Sequence, residues 1–244
     1  GFVILHGLCE TLGVQQLEVS EGALRAGLLY DLLGRIRHED VRDRTIADVI
    51  GRFGLDEAQA GRVSGTALEL HRQVRAKWQL TGKEARHVLE RAARLHEIGL
   101  LLTHDQYHRH AAYVLEHSDL PGYSRDDQRL LSALVGRHRR SFPADAFSHL
   151  PKDWARPARR LCVLLRLAVV LHRGRSSEPL PAISLRVDRQ RLVLRLPAGW
   201  LDQHPLTRAD LEIEARQLRK AGFDLEIGRS GPVTLPPAPA AGLP

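Results

Sequence analysis

The sequence predicts a mainly helical protein that is followed by a small α/β region. Through most of residues 36–178, apolar residues recur at the three- and four-residue spacing of amphipathic helices. In residues 179–230 the spacing changes to two residues, which is the period of a β-strand. Residues 231–244 are rich in Pro and Ala and lack a core pattern, so we predict a disordered tail there.

The first 35 residues carry two helical patterns, separated by a short strand pattern and a turn. A helix is predicted over residues 2–12, with Gly13 at its end, and a strand over residues 14–19. The turn that follows contains Arg25 and leads into the second helix. Free backbone N–H groups at such a helix start favour an anion, so Arg25 is a candidate phosphate ligand, although an ordinary turn fits the same pattern.

The central region contains a series of helices whose starts are marked by polar residues or Pro. The predicted helices begin at Thr45, Asp56, Glu84, Tyr107, Asp126 and Pro157. Thr45 is interpreted as an N-cap, and the helix from Asp56 is predicted to continue to near Gly82. Pro157 suits a helix start because its missing N–H has no partner to lose there, and residues 161–171 predict a buried helix.

The C-terminal region alternates apolar and polar residues in two neighbouring stretches. Residues 183–187 and 192–196 are predicted to form an antiparallel hairpin around the turn at residues 188–190. A helix over residues 206–221 and a last strand over residues 223–227 follow. The expected order is therefore strand, strand, helix, strand.

The chain carries an excess of positive charge, which is concentrated in one segment. Its formal net charge is +7, and residues 129–175 contain eleven Lys and Arg residues against two Asp. This segment predicts a surface that binds a polyanion, and a solvated arginine-rich surface is the alternative. We find no membrane-spanning run and no secretory signal, so a cytoplasmic protein is expected. Cys9 and Cys162 are expected to be buried free thiols.

Residues 91–140 concentrate histidine and arginine, which suit either a metal ion or a chain of phosphates. The histidines of this stretch are His96, His104, His108, His110, His117 and His138. His96 and Glu97 at a helix end resemble the His-Asp pair of the HD superfamily of metal-dependent phosphohydrolases. The longer glutamate displaces the carboxylate, and no downstream Asp stands in a clear ligand position. His96, Glu97 and His138 are therefore only weak metal-ligand candidates.

Phosphate binding is the second interpretation of this stretch, and it requires no metal. Guanidinium groups grip phosphate oxygens, and imidazoles donate single hydrogen bonds to them. The candidate phosphate ligands here are His108, Arg109, Arg137, His138, Arg139 and Arg140. The structural alternative is that His96 and His138 are buried residues that pin helices together.

Several motifs occur in the order in which they occur in a known enzyme family. They are Gly22-Ala23-Leu24-Arg25-Ala26-Gly27-Leu28-Leu29-Tyr30-Asp31-Leu32-Leu33-Gly34-Arg35, Leu95-His96-Glu97-Ile98-Gly99, His108-Arg109-His110-Ala111-Ala112-Tyr113 and Ser118-Asp119-Leu120-Pro121-Gly122-Tyr123. With them, residues 3–228 resemble the C-terminal half of the exopolyphosphatase and guanosine pentaphosphate phosphohydrolase (Ppx/GppA) family. Small departures are Glu21, where the family often has Asp, and Ala111, where it often has Gly or Ser.

The resemblance implies how the chain is organised. Residues 1–35 would be the tail of a second actin-like (ribonuclease H-like) domain, residues 36–178 an HD-like helical domain, and residues 179–230 a small α/β domain. The catalytic glutamate and the assisting Mg²⁺ would lie upstream, so no catalytic residue and no cofactor are expected in this segment. The missing Met at residue 1 agrees with a larger parent protein.

The resemblance also implies a function. The parent would be an exopolyphosphatase that releases terminal phosphate from polyphosphate, with guanosine pentaphosphate as a further substrate candidate. This segment would bind polyphosphate and contribute to a homodimer. An independent HD-type metal phosphohydrolase is the alternative, distinguished by stoichiometric Mn²⁺ or Zn²⁺ at His96. A nucleic-acid-binding module is a third interpretation, which is disfavoured because the 5% of aromatic residues are not interleaved with the basic ones.

Overall fold

The computed structural model describes residues 2–14 and 41–230, which belong to two compact units divided after residue 41. In the first unit, helix α1 (Phe2–Leu12) confirms the predicted N-terminal helix. Gly13 follows it with a φ of +65°, as expected of a glycine that ends a helix. The predictions for residues 15–35, including Arg25, and for the tail at residues 231–244 lie outside the described residues.

The second unit is built mainly from helices. They are α2 (Val41–Phe53), α3 (Glu57–Val74), α4 (Lys83–Leu95), a 3₁₀ turn (Ile98–Leu101), α5 (Tyr107–His117), α6 (Arg125–Gly136) and α7 (Lys152–Leu171). Their apolar faces form one core, in which α7 is buried along most of its length. The sequence prediction of a mainly helical protein is thereby confirmed.

Two helix starts follow from side-chain caps. The Asp56 carboxylate accepts a hydrogen bond from the backbone N–H of Gln59, as its prediction as a helix start requires. Ser124 caps α6 reciprocally with Asp127, since each side chain accepts from the other's backbone N–H. The helix predicted from Asp126 therefore begins one residue earlier, at Arg125.

Three predicted boundaries are wrong because tertiary contacts outweigh local preferences. Thr45 lies inside α2, where its hydroxyl donates to the carbonyl of Pro121 at 2.8 Å. Pro157 lies inside α7, which begins at Lys152, because burial of the residues after it offsets the one hydrogen bond that Pro cannot make. Helix α3 ends at Val74, not near Gly82, since the chain turns there to bury Trp78.

A three-stranded sheet completes the second unit. Strands β1 (Ser184–Asp188) and β2 (Arg191–Pro197) form the predicted antiparallel hairpin. The short helix α8 (Trp200–Gln203) and the longer α9 (Pro205–Lys220) lead to β3 (Asp224–Ser230), which pairs with β2 in parallel. This parallel pairing follows from the helical crossover that joins the two strands. The predicted order of strand, strand, helix and strand is confirmed.

The two cysteines are free thiols, but only one is fully buried. Burial raises the pKa of the Cys162 thiol to about 12, whereas Cys9 is only half-buried. In the described ranges, no helix has the length and apolar character that a membrane crossing requires.

Close packing around Gly99 sets the position of α5. A Cβ added to Gly99 would lie 2.0 Å from the carbonyl oxygen of Tyr107, so only glycine fits beside the first turn of α5. Helices α5 and α6 run antiparallel, because Ala112 lies against Gly136 while Ser118 accepts from the Gln128 side chain. The start of α5 therefore lies beside the end of α6, which brings His108 close to Arg137.

Candidate functional site

The first turn of α5 buries a histidine that has a free nitrogen. His108 is 5% exposed, and its Nδ1 has no hydrogen-bond partner. Burial is the first cause that lowers the pKa of His108 to about 4; the guanidiniums of Arg139, Arg109, Arg140 and Arg137 lower it further. The imidazole is therefore neutral at pH 7, and it stands in a positive field with an unused hydrogen-bonding atom.

A cavity of about 670 Å³ opens beside this histidine. It is lined by residues along α5, which include Glu116, and by residues from the end of α6 and the segment after α6. The basic residues in its wall are His108, Arg109, Arg137, Arg140 and His149. We call this site the arginine cavity. Its volume lies in the range that is typical of small-molecule binding sites.

The arginines around His108 differ in what they already contact. In the described part of the chain, the guanidiniums of Arg109 and Arg137 make no ion pair and no hydrogen bond. Arg140 pairs with the Asp105 carboxylate at 2.9 Å, and Arg139 lies over the Tyr107 ring, 4.6 Å from its centroid. Arg109 and Arg137 are therefore the two arginines of the cavity wall that are best placed to bind an anion.

Two residues in the cavity wall have backbone conformations that are unfavourable for side chains other than glycine. Gln106 has a φ of +50° and Arg140 a φ of +58°. Each left-handed residue costs on the order of 1 kcal/mol, and such residues concentrate at functional sites. The same conformation occurs outside the cavity at Gln79, Arg175 and Arg189, so it does not by itself mark the cavity as a binding site.

A second group of histidines lies next to the cavity but is closed. The histidine cluster consists of His96, His138 and Tyr107, with 5.3 Å between the two imidazole centroids. His138 donates from Nδ1 to the carbonyl of Val135 and accepts at Nε2 from the Tyr107 hydroxyl at 3.2 Å. His96 donates from Nδ1 to the carbonyl of Ala93 at 2.7 Å. Burial lowers the pKa of both histidines, so the cluster is neutral.

The residues around His96 do not suit a metal ion. The Glu97 carboxylate is held by Arg175 at 2.6 Å, and the same guanidinium contacts Asp56 at 3.0 Å. The guanidinium of Arg175 therefore already occupies the position beside the Glu97 carboxylate. This carboxylate lies 3.8 Å from Nε2 of His96. Among residues 2–14 and 41–230, no three His, Cys, Asp or Glu side chains are grouped so that they could hold a metal.

The structure brings together four of the seven predicted phosphate ligands. His108, Arg109, Arg137 and Arg140 share the arginine cavity, whereas His138 belongs to the closed cluster and Arg139 covers Tyr107. Arg25 lies outside the described residues. His104, His110 and His117 do not join the cluster; all three are exposed, and His117 stacks on Tyr113.

Sequence reasoning missed several members of the two sites. His149 of the cavity lies in a segment without regular periodicity, so no local signal marks it. Arg175 reaches Glu97 across 78 residues, a contact that no spacing rule predicts. The hydroxyl of Tyr107 is the one missed group with a signal, because a buried Tyr beside a His run needs a hydrogen-bond partner.

Comparison with known proteins identifies the family. The family model described as Ppx/GppA phosphatase, domain III, matches residues 41–215. The chain is 38% identical over 227 residues to the guanosine-5'-triphosphate,3'-diphosphate pyrophosphatase of Aeromonas hydrophila, and 36% identical over 227 residues to that of Aeromonas salmonicida. Each alignment covers 93% of this chain and 46% of the relative.

A third relative with the same name, from Vibrio cholerae, is 36% identical over 230 residues. The chain spans about half the length of the curated relatives it matches. The family model itself matches more than half of the chain, and it confirms the resemblance that the motifs around His96 and His108 predict. The chain therefore belongs to the Ppx/GppA phosphatase family.

Proposed function

We propose that this chain is the C-terminal part of a phosphoanhydride hydrolase, in which it binds the phosphate-rich portion of the substrate. The observation that carries the proposal is His108, buried beside the arginine cavity with a free Nδ1 and with four guanidiniums around it. While the cavity holds no anion, the positive charges of Arg109 and Arg137 near His108 are not compensated by an ion pair with any described residue. A polyphosphoryl anion bound in the cavity that His108 lines would offset this positive field.

The chemistry of the cavity wall supports phosphate more than other anions. Arg109 and Arg137 offer planar forks of N–H donors, which match two non-bridging oxygens at a time. A chain of phosphates presents such oxygen pairs repeatedly, so two or three guanidiniums can bind it together. A single carboxylate would satisfy only one of them.

The relatives and the sequence motifs support two substrates with this shared chemistry. The names of the relatives specify guanosine-5'-triphosphate,3'-diphosphate, and this supports guanosine pentaphosphate as the substrate of the parent protein. The family resemblance also supports inorganic polyphosphate. We propose that the cavity binds the run of phosphates that both molecules contain, and that the chain forms a homodimer.

Hydrolysis itself is assigned to residues outside this segment. The described residues offer no grouped ligands for a metal ion, and the His96–Glu97 pair is engaged by Arg175. We propose that the catalytic glutamate and Mg²⁺ belong to the part of the parent protein that precedes this chain. The chain alone would then bind the substrate without cleaving it.

Isothermal titration of the 244-residue chain with tripolyphosphate tests the proposal. We expect binding that weakens with added salt, no released phosphate, and a loss of at least about tenfold in affinity in Arg109→Ala/Arg137→Ala. Arg129→Ala is the matched control, because it removes an exposed arginine from α6 that contacts Asp126 and not the cavity. An unaffected double variant, or turnover by this chain, would contradict the proposal. A competing RNA that displaces tripolyphosphate fully would favour a nucleic-acid-binding module.

A further inference from the structure

Arg166 lies in the middle of α7 with a side chain that is completely buried. It uses four of its five N–H donors. Two go to the Glu214 carboxylate, at 2.5 and 2.9 Å, and two go to backbone carbonyls, those of Arg137 at 2.5 Å and Arg140 at 2.8 Å. Because four hydrogen bonds hold it, the buried guanidinium is fixed in a single position and orientation.

The two carbonyls that Arg166 contacts belong to the first and last residues of one short turn. Residues 137–140 contain Arg137 and Arg140 of the cavity wall, and we call them the arginine turn. The Arg166 guanidinium also lies over the Phe142 ring, 5.1 Å from its centroid, and Cys162 donates to the carbonyl of Arg137. The backbone of the arginine turn is therefore held from inside the core, while the side chains of Arg137 and Arg140 line the cavity and His138 points into the histidine cluster.

The electrostatic energy of this arrangement is unfavourable. A buried cation beneath a turn that already carries three arginines adds to their repulsion, and burial of any charge is unfavourable. Glu214 neutralises Arg166 through a bidentate contact, and it comes from α9, the helix that links β2 to β3. An apolar residue at position 166 would avoid the cost but could not donate to the two carbonyls.

We propose that Arg166 and Glu214 are positioning residues that fix the arginine turn, and that they couple helix α9 to anion binding in the arginine cavity. This inference rests on the proposed function, because it concerns the same cavity. Neither residue touches the anion. Arg166 orients the turn through its carbonyls, and Glu214 orients Arg166.

The variant Glu214→Gln tests the coupling, with Asp210→Asn as its matched control. Asp210 also lies on α9 and contacts Arg173, the second residue after α7, so the control breaks a link between the same elements without touching the turn. We expect tripolyphosphate affinity to fall about tenfold in Glu214→Gln and to stay within about twofold in the control. Glu214→Asp keeps the charge but withdraws the carboxylate by one methylene, so it should recover only part of the loss.

A second readout separates positioning from general stability. In the unliganded chain, histidine NMR should show the His108 pKa rising from about 4 towards 6.5 in Glu214→Gln, because the guanidiniums move away and water enters. The resonance is assigned with His108→Gln. A lower melting temperature with an unchanged His108 pKa and unchanged affinity overturns the positioning role.

Glu214→Gln leaves a buried guanidinium unpaired and can prevent folding, so Arg166→Met/Glu214→Gln is measured in parallel. This double variant has no charge in the core at that point, and such replacements commonly preserve a fold. The same loss of affinity is expected from it; wild-type affinity overturns the proposal. If the wild-type chain itself does not bind tripolyphosphate, the proposed function fails instead, which separates the two failures.

Discussion

The histidine cluster and the arginine cavity share the first turn of α5, yet their polar groups are in opposite states. In the cluster, His138 uses both ring nitrogens, and Glu97 beside His96 is held by Arg175. In the cavity, His108 Nδ1 has no hydrogen-bond partner, and the guanidiniums of Arg109 and Arg137 make no ion pair and no hydrogen bond with the described residues. The same residue types thus stabilise the fold in one place and remain open to a ligand in the other.

The difference shows how a histidine-rich stretch is to be interpreted. Buried polar groups in proteins are normally hydrogen-bonded, and an unpartnered one calls for an explanation. The histidine cluster needs no such explanation, because protein groups supply its hydrogen-bond partners. The cavity does need one, and the polyphosphoryl anion that we propose would supply the negative charge that Arg109 and Arg137 lack.

The largest effect is expected from Gly99→Ala, which disturbs the shared wall of the two sites. The new Cβ would lie 2.0 Å from the Tyr107 carbonyl and 2.8 Å from the Ala111 nitrogen, so the first turns of α5 must shift. We expect a loss of about 3 kcal/mol or more in unfolding free energy, measured by urea denaturation, together with loss of tripolyphosphate binding.

Gly65→Ala is the control for this prediction. Gly65 lies inside α3, and a Cβ there would meet nothing within 4 Å. Alanine is the better helix former, so stability should rise by roughly 0.5–1 kcal/mol. If Gly99→Ala is tolerated as well as Gly65→Ala, α5 is not held by the 3₁₀ turn, and the two sites do not share a fixed wall.

Local patterns were sufficient to predict most elements but not the contacts that distinguish the two sites. The hairpin from β1 to β2 and the helices α4 to α6 follow from apolar spacing, which depends only on neighbouring residues. Thr45 has the local signature of an N-cap, and a contact with Pro121 overrides it. Propensity is a weak signal where tertiary packing decides.

The candidate site could be predicted where its residues are consecutive. Arg137 and Arg140 stand three positions apart and His108 next to Arg109, so the sequence itself groups them. Which arginine is free depends on partners that are distant in sequence, such as Asp105 for Arg140. The Arg166–Glu214 contact spans 48 residues and has no sequence signature.

A smaller effect on anion affinity is expected from a change in pH. This effect distinguishes His108 in the cavity from the other buried histidines. The pKa of His108 is about 4 without a ligand, and a bound anion should raise it towards or above its usual 6.5. Anion binding then takes up a proton, so affinity rises as pH falls from 7 to 5 and levels off below about 4. A rise of two pKa units would give about tenfold tighter binding at pH 5.

His172→Gln and His108→Gln isolate this contribution from protonation of the ligand itself. Burial also lowers the pKa of His172 to about 4, but its Nε2 contacts the Thr66 hydroxyl at 2.7 Å, and it does not line the cavity. The pH slope, measured by titration calorimetry, should fall in His108→Gln to the part that comes from protonation of the ligand, and it should stay at the wild-type value in His172→Gln. Equal slopes in both variants would mean that His108 does not face the bound anion.

The smallest effect is expected from Arg140→Ala, because this arginine combines features of both sites. It lines the cavity, but its guanidinium is exposed and already pairs with Asp105 at 2.9 Å. Exposed ion pairs are weak and screened by salt, so we expect only about a twofold loss of tripolyphosphate affinity. A tenfold loss would show that the Asp105 contact gives way to the anion, and Arg140 would then rank with Arg109 and Arg137.

Arg140→Gly separates the charge of this residue from its backbone conformation. The φ of +58° is unfavourable for Ala but not for Gly, so Arg140→Gly should be more stable than Arg140→Ala by about 1 kcal/mol in thermal or urea unfolding. Both variants remove the same charge and should bind tripolyphosphate equally if the turn keeps its shape. Since Arg166 holds the Arg140 carbonyl from inside the core, the turn should keep its shape in either variant. A weaker affinity in Arg140→Gly alone would show that a side chain at this left-handed position helps to fix the cavity wall.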